Sequence, residues 1–207
     1  MPPNDNRLVP GIVLKSIAGG MILMALLTCA WIHLAIQGLN SYGLLWSCIS
    51  IGFGILLLII ASYYFLKAKH LPHLDSDADR QEGKKIGMWY GIIVGAEGLL
   101  IGGACPALVL TGLAAFILPV VALIVGVHFI PMAKIFRRTV DYYIATWTCI
   151  VGLTGVYMVS HGYPGASVNT MTGFGVGAST AAYGIYMIFA GYKIVKAYKA
   201  VDSPFIF

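Results

Sequence analysis

The 13 Lys and Arg residues of this 207-residue chain fall on alternate connections between apolar segments, and the other connections carry none. Hydrophobic stretches can be read at 9–38, 42–66, 86–104, 106–132, 139–160 and 170–195. Arg7 and Lys15 stand at the start of the first, and Lys67, Lys69, Arg80, Lys84 and Lys85 join the second to the third. Lys134, Arg137 and Arg138 join the fourth to the fifth, and Lys193, Lys196 and Lys199 follow the sixth. Short basic connections stay in the cytoplasm during membrane insertion, so this partition predicts six crossings with both termini cytoplasmic, as expected of a bacterial inner-membrane protein.

Composition agrees with lipid as the solvent. The chain is 59% hydrophobic and 10% charged, against about 45–50% and about 25% in soluble domains. Six spans of ~20 residues each suffice to cross a hydrocarbon core of ~30 Å. They leave no length for a soluble domain. The expected fold class is therefore all-α, a polytopic six-transmembrane-helix bundle forming one domain over 1–207, with a hydrophilic cytoplasmic loop at 68–85. The net charge of +5 sits at membrane ends, where it sets topology and meets anionic lipids; nucleic acid is not an expected partner. The segment before Lys15 lacks a secretory n-region, and the apolar run after it is longer than a signal-peptide core, so the first helix is expected to remain as an anchor.

Glycine, present 25 times, is the second organising signal. Gly87, Gly91, Gly95, Gly98 and Gly102 recur at intervals of four, four, three and four, which places them on one stripe of the third helix. Gly177, Gly184 and Gly191 recur every seven residues in the sixth, with Gly173 and Ala181 on the same side. Small-residue stripes let helix backbones approach where lipid offers no hydrophobic drive to associate, so the third and sixth helices are expected to be the packing helices. Dividing the chain after the third helix gives two three-helix halves of opposite orientation, each ending in a glycine-striped helix. An inverted-repeat arrangement of this kind is a further expectation. The run Gly102-Gly103-Ala104-Cys105-Pro106 is expected to be the outer turn between the third and fourth helices.

Glu97 is the sharpest candidate for chemistry, because an acid far inside an apolar helix must find a partner, water or a proton. It shares a face with Tyr90, ~120° from the glycine stripe. His128 and Asp141 form a second candidate, at similar depth on the fourth and fifth helices. An imidazole oriented by a carboxylate can accept a proton near neutral pH, while Asp141 can equally balance Arg137 and Arg138 or favour the positive end of its helix. Pro119, midway between Gly112 and Gly126, is expected to kink the fourth helix and serve as a hinge, since proline removes the amide that would bond Ala115. Thr146, Thr148, Thr154, Ser179 and Thr180 are available as hydroxyls. Asp75, Asp77 and Asp79 alternate like calcium ligands, but Arg80 and Ile86 occupy the loop positions that an EF-hand gives to Gly and Glu, so a solvated linker is expected. Cys29, Cys48, Cys105 and Cys149 form no metal-binding spacing. No cofactor or metal is expected.

The segment Gly126-Val127-His128-Phe129-Ile130-Pro131, after a kinked apolar helix and before an aromatic-rich one, resembles a region of small uncharacterised bacterial membrane proteins with six predicted helices. The resemblance implies that architecture and draws attention to His128; it implies no substrate. The residues themselves lead to a transporter or permeation pathway for a small solute or ion, with Glu97 as the titratable group. They also allow an accessory or scaffold subunit whose glycine stripes meet a partner protein or a second copy, and an intramembrane enzyme using His128 and Asp141.

Overall fold

The computed structural model describes residues 10–37, 39, 42–71 and 77–201. Six helices account for nearly all of them: α1 (Pro10–Ile36), α2 (Gly43–Ala68), α3 (Asp77–Leu110), α4 (Ile117–Phe136), α5 (Thr139–Ser160) and α6 (Gly165–Val201). Every one contains a window long and apolar enough to span a membrane. Backbone amides and carbonyls find no partner in hydrocarbon, and the helix is the one local structure that satisfies them all within the segment. The chain is thus an all-α, multi-pass integral membrane protein. Arg7, Gly38, Asn40, Ser41 and the segment Pro72–Ser76, Asp75 among it, lie outside the described residues.

The helices neighbour one another in the order α2, α1, α6, α5, α4, α3, with α6 also touching α2 and α4. Exchanging the two halves of the chain carries the α1–α2 contact onto α4–α5 and the α1–α6 contact onto α4–α3, as an inverted repeat requires. The exchange fails around α6, which packs along α5 and also touches α4 and α2, whereas α3 has no comparable contact with α2, α1 or α5. Consequently α3 leans on α4 and on the single 3-10 turn Ala114–Phe116, and no residue in its membrane window is buried.

Three expected positions move. The hydrophilic linker is shorter than 68–85, because α3 begins at Asp77. The turn between α3 and α4 lies not at 102–106 but at 111–113, where Gly112 takes φ 75° and the Leu113 amide bonds the Leu108 carbonyl at 2.8 Å. Pro106 sits inside α3. It forfeits one backbone bond, a loss that membrane helices tolerate, whereas a left-handed turn needs a residue without Cβ. Pro119 then falls in the first turn of α4, not at its middle. No helical amide is lost there, so it is no mid-helix hinge; the proline within the α4 ladder is Pro131. At the other end, α4 stops on Arg137 in the left-handed region (φ 52°), and the Arg138 amide closes the turn onto the Ala133 carbonyl.

The core runs along α1 and α6. Leu14, Ala18, Met21 and Ala35 of α1 are fully buried, as are Leu57 and Ala61 of α2 and Val176 of α6. The glycines of α6 explain the fit. A Cβ at Gly173 would stand 2.7 Å from the Trp31 carbonyl oxygen and 2.8 Å from the Ala35 amide, at Gly177 2.7 Å from Ile32 Cδ1, and at Gly184 2.9 Å from Leu57 Cδ1. Gly191 likewise receives the ring of Tyr64. α4 and α5 meet in the same manner: Gly126 faces the Cys149 backbone, Gly152 faces Leu123, and Gly155 faces Pro119 and Thr172. The α3 stripe behaves differently. Nothing among the described residues comes within 4 Å of a Cβ at Gly87, Gly91, Gly95, Gly98 or Gly102. The expectation that this stripe packs within the chain is corrected: α3 turns its larger residues, Tyr90, Ile93, Glu97 and Ile101, toward α4, because only α4 is beside it.

Candidate functional site

Glu97 lies at the middle of the Gly83–Leu110 membrane window of α3, fourteen residues from its start, hence ~21 Å along the axis at a 1.5 Å rise. Its Oε1 is 3.4 Å from Nδ1 of His128 on α4. The two side chains are nearly enclosed, at 17% and 14% exposure. Tyr90, two turns from Glu97 on the same face, meets the ring of Phe136 edge-on at 6.1 Å and closes the α3–α4 seam toward the basic end.

The neighbours of His128 fix its tautomer. The Val125 carbonyl is 2.7 Å from Nδ1. A carbonyl only accepts, so Nδ1 carries the hydrogen and Nε2 the lone pair. No partner for Nε2 is found among the described residues. Glu97 shares the same Nδ1–H at longer range, so the pair presents a carboxylate and an imidazole nitrogen that both accept protons. A proton taken up at Nε2 makes an imidazolium facing the carboxylate, an arrangement each charge stabilises in low dielectric.

Asp141 does not join this pair. It is the third residue of α5 and fully buried, with Arg138 beside it and the Tyr183 hydroxyl of α6 directed at its carboxylate, yet neither oxygen comes within 3.5 Å of a hydrogen-bond partner. Phe129 touches both groupings: its ring lies 4.4 Å from that of His128 and 5.7 Å edge-on from that of Tyr183. His128 and Asp141 thus fall in two separate groupings, His128 with Glu97, and Asp141 with Tyr183 and Arg138. Arg138 Nη1 donates to the Tyr183 hydroxyl at 3.4 Å. The structure adds Tyr183 to the candidates; its signal in the sequence, one tyrosine among 12, is invisible without knowing which helix meets α5.

The expected hydroxyls divide by role. Thr146 and Thr154 bond the carbonyls one turn back, at Tyr142 and Ile150. Thr148 and Thr28 instead cross to α6, donating to Ser179 at 3.1 Å and Thr180 at 2.9 Å. These are buried bonds that tie α6 to α5 and α1. Elsewhere, a groove of about 580 Å³ opens toward lipid between α2 and α6, lined in part by Tyr63, Tyr192, Phe189 and Lys196. Among the described residues no group of three or more His, Cys, Asp or Glu side chains is placed to hold a metal ion.

The bundle and the two acid groupings define a membrane protein with titratable side chains inside its spans. No family model matches the chain, and neither a curated protein nor a solved structure is similar to it.

Proposed function

We propose that the chain moves a small solute or ion across the membrane in exchange or symport with protons carried by the Glu97–His128 pair. One observation carries this reading: an acid and an imidazole meet at 3.4 Å in mid-membrane, along the seam of the one helix that a single neighbour holds in place. Ionisable groups at such depth are costly and are characteristic of ion and proton pathways. A helix supported on one side can shift without unpacking the remaining five, which gives the α3–α4 seam a means of exposing the pair alternately. The basic ends of the helices face the cytoplasm in this reading, as the insertion bias of Lys and Arg favours.

The test uses proteoliposomes loaded with a pH-sensitive dye and challenged in turn with ammonium, monovalent and divalent cations, small amines and small carboxylates. Proton movement is expected with one class of solute, falling at least tenfold in Glu97→Gln and in His128→Ala. Equal movement in wild type and Glu97→Gln overturns the reading.

The open glycine face of α3 supports a second reading, an accessory or scaffold subunit whose α3 meets another membrane protein or a second copy of this chain. Gly91→Leu would then abolish co-purification of that partner while Glu97→Gln left it intact.

A further inference from the structure

Asp141 is the only aspartate inside a candidate membrane span among the described residues; Asp77 and Asp79 stand in the first turn of α3, before its span begins at Gly83, and Asp5, Asp75 and Asp202 lie in the terminal segments and the linker. Its surroundings are unusual for a carboxylate. The side chain has 0% exposure, so a water-sized sphere touches neither oxygen. In this packing the carboxylate is bordered by protein groups alone. From α6 the group facing it is Tyr183, and from the residue that precedes α5 it is Arg138. The apolar ring of Phe129 on α4 packs edge-on against that of Tyr183. Arg138 directs its Nη1–H to the Tyr183 hydroxyl, not to the carboxylate. Because that hydroxyl oxygen is the acceptor of the arginine, its own hydrogen remains to be donated.

An ion without hydrogen bonds, removed from water, costs several kcal/mol even after relaxation, and the nearby guanidinium does not supply the missing bonds. Of the ligands that would relieve it, only one needs no additional volume. We propose that Asp141 is a proton-binding site: its carboxylate takes a proton from water at the basic end of the bundle, holds it on one oxygen as a carboxylic acid with Tyr183 as hydrogen-bond partner, and returns it by the same route. The step adds or removes one proton and changes no oxidation state. Access is short, since Asp141 lies three residues past Arg138 and thus ~4.5 Å along the axis at a 1.5 Å rise. The site is separate from Glu97–His128 and stands whether or not that pair drives transport.

Infrared spectroscopy of the purified full chain, with aspartate labelled by ¹³C at the side-chain carboxyl, reads Asp141 without a variant, because the remaining aspartates are outside the spans. At neutral pH the labelled protein is expected to show a carboxylic-acid C=O band displaced from that of the unlabelled protein. The band is expected to shift again in Tyr183→Phe, which removes the hydroxyl but keeps the ring, and to stay in place in Glu97→Gln. It is expected to vanish in Asp141→Asn. A labelled protein whose acid bands coincide with those of the unlabelled one overturns the proposal, and so does a label-sensitive band unmoved by Tyr183→Phe, since Tyr183 would then not be the partner. Glu97 cannot produce either result, so this outcome and that of the flux experiment are read independently.

Discussion

α3 and α6 carry nearly the same sequence signal and use it in opposite ways. Each presents glycines at spacings of three, four or seven residues along one stripe. On α6 the stripe is filled by the Trp31–Ala35 backbone, Ile32, Leu57 and Tyr64, and α6 becomes the axis of the bundle. On α3 the stripe meets nothing among the described residues, and the opposite, bulkier face docks on α4. A glycine stripe is therefore a licence for close approach, not a record of it. What decides the outcome is the number of neighbours: α6 is bordered by α1, α2, α4 and α5, whereas α3 is bordered by α4.

The contrast is broken most sharply at Gly173, where a side chain would collide with backbone atoms of α1 that cannot rotate away. Gly173→Leu is expected to lower stability by ~3 kcal/mol, as severe overpacking does. Unfolding in mixed micelles followed by circular dichroism measures this; an unaltered transition would mean α1 and α6 are not in contact. Tyr90→Ala tests the face that α3 does use. Removing one aromatic contact is expected to cost ~1 kcal/mol, confined to α3 and seen as faster hydrogen exchange there with α6 unchanged. The smallest effect is expected for Gly91→Leu, within ~0.5 kcal/mol in the isolated chain. A large loss at Gly91 would show that a second copy or a partner occupies the stripe even in the purified protein.

Helix number was legible from the sequence because apolar length and cationic ends are local properties, each readable without knowing any neighbour. The α3–α4 boundary was not. Gly102, Gly103 and Pro106 have the composition of a turn, yet the helix continues to Leu110 and the chain reverses at Gly112. That displacement hid the Glu97–His128 pair. Counted from Gly112, Glu97 lies fifteen residues before and His128 sixteen after, so in an antiparallel hairpin they share a depth. Counted from a turn near 104, they are far apart. Asp141 was misassigned for a different reason. The contact of Phe129 with Tyr183 and the arrival of Tyr183 from α6 are properties of packing across helices, which no spacing along one helix reports. Pro119 follows from the same boundary: with α4 starting at Ile117 it lies in the first turn of the helix, where it bends nothing.

The attachment of α3 along a single seam carries over to how the chain is assembled in the bilayer. A mean hydropathy of 1.9 over its most apolar 18 residues keeps it stable in lipid unaccompanied, so it can enter the bilayer before α4 exists. The other five helices must find one another to hide their hydroxyls and core side chains; α3 needs only to wait for a neighbour, and the hairpin closing at Gly112 delivers His128 to Glu97 as the last stave is set.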